Sequence, residues 1–212
     1  TETFSRFAAP ELGRALTLYY DGKFPEAPVP LQKILENVNK AQYHEQARSL
    51  QRDINQAINF YENGTTEITN EHPERAEAPF LKSLSIDEKL VLGDKAATMS
   101  AEEKKRELEK RTSFIRRTIV DTMSRTAYDK GRALQERKDY RAACKMWKLG
   151  ATFSRSNIDL LKSLTNVCTK RADQAFNSAN SCTQLQAALD FAVDGDGFKE
   201  KIEEEMEKEG CN

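Results

Sequence analysis

Glycine and proline are scarce in this chain, with nine Gly and six Pro among 212 residues, well under the usual share of ~12%. Val and Ile together number 15, fewer than the 18 Leu or the 23 Ala. These shortages exclude collagen-like and β-barrel classes, and four Cys are too few for a disulfide knot. No apolar run approaches the ~18 residues that a membrane helix needs; the strongest candidate is only Lys89-Leu90-Val91-Leu92-Gly93. A Walker loop, G-x-G-x-x-G, H-E-x-x-H and G-x-S-x-G are all missing. His44 and His72 are the only histidines, poor material for general acid–base work. Glu45 and Glu62 form a carboxylate pair only if the fold brings other acids close. No catalysis and no cofactor are expected.

What is present favours helix. Ala, Leu and straight-chain charged residues lose little rotamer freedom there, and 32% of the chain is charged. At 38% hydrophobic the core must be thin, which suits stacked helix pairs. The formal net charge of −1 conceals a basic centre, residues 101–180, between an acidic first half and an acidic C-terminal segment. Such a contrast serves an anionic partner, or the tail folds over the centre.

All four Cys lie in the last third: Cys144, Cys168, Cys182 and Cys211. None has C-x-x-C spacing, and the histidines are remote in sequence, so no metal site is expected. Their even count and clustering suit one or two disulfides in an oxidising compartment, with Cys182–Cys211 favoured as a bridge. The competing reading is ordinary buried thiols.

The spacing predicts a helix over 8–20 with Leu12, Ala15, Leu16 and Tyr19 inside, stopped by Asp21-Gly22. A second reaches about Lys40, its regular start pushed towards Val29 by Pro25, Pro28 and Pro30. A third covers 41–62 and ends at Asn63-Gly64, read as a turn rather than as a glycosylated sequon; 65–72 is read as a polar loop. His72-Pro73 opens a short helix to Leu84, with Ile86 to Leu92 after a break. Ser100 caps a long helix to about Arg137, Asp139 caps one to Phe153, and Asn157 caps one to about Ala179. Helices at Thr183 to Val193 and Phe198 to Glu209 close the chain. Asp194-Gly195-Asp196-Gly197, with Glu200 and Glu203, has some of the oxygen ligands of a calcium loop. Ala192 at the first ligand position and Lys199 inside the loop argue for a turn and cap instead.

A spacing pattern recurs. Ala27/Leu31/Leu35, Ala76/Phe80/Leu84, Ala143/Trp147/Ala151 and, more weakly, Ala187/Phe191 place a small residue four before a large one on one helix face. The fullest unit runs Ala127-Tyr128-Asp129-Lys130-Gly131-Arg132-Ala133-Leu134 and then Lys138 to Trp147. It resembles the tetratricopeptide repeat (TPR), a helix–turn–helix unit. Gly131 falls where that family keeps a small residue, Leu134 on a large first-helix position, and Tyr140, Ala143 and Trp147 on second-helix positions. Ala15, Leu18, Gly22, Phe24, Ala27 and Leu31 repeat the pattern. Two units match well, about 70 residues; Arg155 stands near where the closing proline would be, and 41–100 fit only through Ala76 and Phe80.

The resemblance implies an all-α fold, a TPR-like α-solenoid of irregular helical hairpins with long helices. One domain would span 1–212, in units of about 8–40, 41–92, 101–155 and 157–212. It also implies a non-catalytic scaffold or adaptor whose first helices line a groove for a protein or peptide partner, here an acidic one. Carried onto matching positions, Arg125, Tyr128, Arg132 and Gln135 would face that groove, joined by Lys162 and Asn166 if the array continues. The alternatives are Tyr128 in the core with the arginines paired to nearby acids, and a helical assembly module with no groove. Arg111, Arg116, Arg117, Arg125, Arg132 and Lys145 offer a basic stripe, but no stacking-aromatic module accompanies it, so no nucleic acid is expected. The chain begins at Thr1 rather than Met, leaving room for a removed targeting segment or anchor. With the clustered cysteines, and a loose likeness of 140–211 to tails of bacterial envelope-associated TPR proteins, this favours a bacterial envelope or periplasmic location over a cytoplasmic one.

Overall fold

The structure, a computed structural model, describes residues 7–154, 156–195 and 197–211, and every regular element in them is helical. The helices gather into two compact units, Thr1–Ile119 and Val120–Asn212. No helix is long and apolar enough to cross a membrane among the described residues. Arg155 and Asp196, which figured in the repeat and turn readings, lie outside them.

In the first unit, α1 (Pro10–Tyr20) buries Leu12, Ala15, Leu16 and Tyr19, the stripe its spacing predicts. It stops at Gly22, which takes φ +80° while the Lys23 N–H reaches back to the Leu18 carbonyl at 2.8 Å. A side chain at Gly22 would be strained by that φ, and its Cβ would lie 2.6 Å from Phe114 Cγ. Helix α2 (Pro28–Leu35) is shorter than expected, because a 3₁₀ stretch at Val38–Tyr43 replaces its last turn. Helices α3 (His44–Thr69) and α4 (Pro73–Leu92) form a long hairpin.

Here the expected chain breaks are wrong. Helix α3 runs straight through Asn63-Gly64, and 65–69 are helix rather than loop. Gly64 is a packing glycine, since a Cβ there would enter the Phe80 ring. The reversal comes at Glu71, held at φ +63°, with the His72 N–H bonded to the Glu67 carbonyl at 2.9 Å. The expected break near Leu84 is also absent, as α4 is continuous to Leu92 and even accommodates Pro79.

The long helix expected from Ser100 is two. Helix α5 (Ala101–Lys110) carries a full capping box between Ser100 and Glu103, and α6 (Phe114–Glu136) starts afresh. Ser113 makes the division: its hydroxyl caps α6 by accepting from the Arg116 N–H at 3.1 Å and donates to Asp87 Oδ1 at 2.6 Å. Asp87, fully buried, also accepts from the Tyr19 hydroxyl and from Arg116 Nε, both at 3.0 Å. Arg116 further donates to the Leu84 carbonyl at 2.9 Å. Burial and the Asp87 charge push the Tyr19 phenol well above its ordinary range. Three segments distant in sequence, α1, α4 and the start of α6, thus meet on one carboxylate.

In the second unit, α7 (Tyr140–Phe153) starts where expected, with Asp139 Oδ1 accepting from the Ala142 N–H at 3.1 Å. Asn157 caps α8 (Ile158–Ser163), which passes through a π-helical stretch (Leu164–Thr169) into α9 (Lys170–Asn177), so one run spans the predicted range. Helices α10 (Cys182–Leu189) and α11 (Phe198–Lys208) follow. Both cysteine pairs, Cys144–Cys168 and Cys182–Cys211, stand at disulfide distance, with Cα separations of 5.7 and 5.4 Å. The favoured pair is therefore present, and a second accompanies it. Two disulfides suit an oxidising compartment.

Candidate partner-binding face

The part of α6 beyond Ile119 and all of α7 form the hairpin in which the sequence candidates sit. Ala127 is buried, and Gly131 lies flat against the Trp147 indole, where a Cβ would enter the ring. The indole N–H donates to the Tyr128 carbonyl at 3.3 Å. One turn further along α7, Gly150 brings three helices together: a Cβ there would stand 2.9 Å from Ala127 Cβ and closer still to Leu160 Cδ1. Small residues thus let α6, α7 and α8 approach, while Trp147, Cys144, Leu160, Leu164 and Cys168 fill the space behind.

On this frame Arg125, Tyr128, Arg132 and Gln135 share one face of α6 by their spacing. Arg125 and Arg132 are exposed, and Arg132 makes an exposed 3.6 Å ion pair with Glu136. Such a pair is worth at most about 0.5 kcal/mol, so an incoming carboxylate can displace it. Tyr128 is half-buried against the Trp147 cluster, and Gln135 is half-buried near the turn. Lys162 and Asn166 are exposed on α8 and its π-helical continuation, while Leu160 and Leu164 of the same run enter the core beside Trp147.

Two residues of the broader basic stripe are paired with acids of the first unit. Arg116 is spent on the buried Asp87, and Arg111 pairs with Glu107 at 3.0 Å. The acidic C-terminal helix α11 packs on α9 and α10. In the glycine-rich turn, Asp194 accepts from Lys199 at 2.8 Å, and this carboxylate holds the Lys199 ammonium above its usual range. No group of three His, Cys, Asp or Glu side chains gathers at metal-binding distance among the described residues.

Sequence reasoning missed a cleft of about 800 Å³ in the first unit, between α3, the end of α4 and residues 93–97. Leu50 and Leu92 floor it, and Asp53, Lys89, Lys95 and Arg111 rim it. The Asp53–Lys89 pair at 2.7 Å neutralises part of that rim. No sequence pattern announces it, because its lining is drawn from residues as far apart in sequence as Phe7 and Arg111.

No family model, curated protein or solved structure matches this chain.

Proposed function

We propose that the chain is a non-catalytic, TPR-like scaffold that binds an acidic peptide or protein segment through the α6 face bearing Arg125 and Arg132, within a larger assembly. The observation that supports this reading most directly is the hairpin itself. Gly131 lies against Trp147, a small residue beside a large one, and Gly150 lets α6, α7 and α8 approach; two arginines two turns apart stay exposed on α6. Arginine forks suit carboxylates, and exposed Arg combines contact area with directed donors. Lys162 and Asn166 would extend the face, with Tyr128 and Gln135 at its floor. The two cysteine bridges support an oxidising compartment, and a bacterial envelope location is proposed on that basis over a cytoplasmic one. A second reading, a helical assembly module without a groove, is favoured by Ile158, an apolar side chain 64% exposed at the start of α8.

The test is fluorescence anisotropy of labelled Glu- and Asp-rich peptides with free C-terminal carboxylates against the full chain. Binding that weakens at least tenfold in Arg125→Glu/Arg132→Glu and falls with added salt is expected. Peptides that do not bind, or bind the double variant equally well, overturn the reading. A concentration-dependent dimer that Ile158→Asp abolishes would establish the assembly module instead.

A further inference from the structure

The two bridges sit in opposite environments. Cys144 and Cys168 are both at 0% exposure, enclosed with Trp147, Leu160 and Leu164. Cys182 is exposed and Cys211 half-buried at the edge of a separate cluster. Thiol–disulfide exchange needs an attacking thiolate to reach a bridge sulfur in line, so accessibility separates the two by rate.

What the outer bridge holds is thinly held otherwise. Helix α11 has one fully buried residue, Ile202, with Phe198 and Met206 half-buried beside it. Its other faces carry Glu200, Glu203, Glu204, Glu205 and Glu207, and Glu200/Glu204 and Glu203/Glu207 are like-charged at i,i+4. An 11-residue helix of that charge is marginal without docking. The Gly210 reversal brings Cys211 back against Cys182, with the Cys211 N–H bonded to the Met206 carbonyl at 2.8 Å. Cys182 occupies the first residue of α10, where the helix N-terminus stabilises a departing thiolate.

We propose that Cys182–Cys211 is a thiol-responsive latch: a small thiol opens it while Cys144–Cys168 stays closed, releasing the acidic helix α11 from the apolar face of α9 and α10. A thiolate attacks Cys211 Sγ, forming a mixed disulfide and expelling Cys182 Sγ as a thiolate that takes a proton from water. A second thiolate attacks the small-molecule sulfur of that mixed disulfide and expels Cys211 likewise. Two thiols are oxidised to one disulfide, and the bridge gains two electrons and two protons. Opening exposes Leu185, Ala188 and Ala192.

The experiment titrates the oxidised full chain with reduced glutathione in a glutathione buffer, quenches in acid, and assigns each bridge by differential alkylation and peptide mass spectrometry. Hydrogen exchange is followed in parallel. Cys182–Cys211 is expected to open at tenfold lower reduced glutathione or less, with amides 199–208 losing at least tenfold protection while 141–168 keep theirs. The proposal is overturned if both bridges open together, or if the outer one opens and 199–208 stay protected. The variant Cys182→Ser/Cys211→Ser, which needs no reductant, should show the same loss in oxidising buffer, and full protection there also overturns it.

Discussion

At the scale of single residues, Asp87 is the most consequential position. Its carboxylate is at 0% exposure and gathers Tyr19, Ser113 and Arg116. Removing one partner of a buried pair costs about 3–5 kcal/mol; Arg116 keeps some water, with 18% of its side chain exposed, so the low end applies. Asp87→Asn is therefore expected to destabilise the first unit by about 3 kcal/mol, read as a lowered midpoint in urea unfolding. Tyr19 adds a pH signature. Its phenol is raised above the ordinary value of 10.0 in the folded state, so between the two values the unfolded chain has lost a proton that the folded chain retains. Stability is constant below pH ~10 on this account and falls as pH rises through that window. Alkaline unfolding should begin there, and Tyr19→Phe should flatten the slope of stability against pH above 10 while costing about 1.5–3 kcal/mol below it. An unchanged slope would show that the Asp87 network does not control the alkaline limb. None of this was legible in the sequence, where Asp87 is one acid among many and its partners are 26 to 68 residues away.

At the scale of elements, stripe spacing, caps and the close-approach Gly131 were readable, and reversals without glycine were not. Ser100, Asp139 and Asn157 cap as their types predict, because an N-cap is a local bond between a side chain and a nearby N–H. The ends of α3 and α6 obey the same left-handed rule as the end of α1, but Glu71 and Lys138 fill the position that Gly22 fills there. The Asp139 N–H meets the Leu134 carbonyl at 3.0 Å around Lys138. A non-glycine residue in that conformation costs about 1 kcal/mol, so the code was present in geometry and hidden in residue type. Gly64 misled in the other sense: a mid-helix glycine signals a stop locally, and only the distant Phe80 explains it. Lys138→Gly is accordingly expected to stabilise the second unit by about 0.5–1 kcal/mol. A rise of a few degrees in its melting midpoint by circular dichroism checks this, and a fall would mean that Lys138 makes an essential contact elsewhere.

At the scale of the whole molecule, chain chemistry is unevenly divided. Every cysteine lies within Val120–Asn212, and Thr1–Ile119 has none. The first unit is instead held by helix packing, an aromatic cluster in which Phe24 and Phe114 stand 5.7 Å apart, and the Asp87 network. The second has a core cluster around Trp147 that includes both cysteines of the Cys144–Cys168 bridge. Closing a loop of this size stabilises by about 3–4 kcal/mol, mainly by restricting the unfolded chain. Strong reductant, enough to open both bridges, should therefore act on one unit alone. Amides of α7, α8 and α9 are expected to exchange roughly 100-fold faster, as a loss of about 3 kcal/mol implies. Those of the α3–α4 hairpin should keep their rates, because no bond that stabilises them is reducible. Hydrogen exchange with and without reductant, resolved by peptide, measures both at once. Faster exchange in α3 and α4 would mean that the first unit draws its stability from the second, and the uneven placement of cysteine would then mark where the chain is stapled rather than which part depends on it.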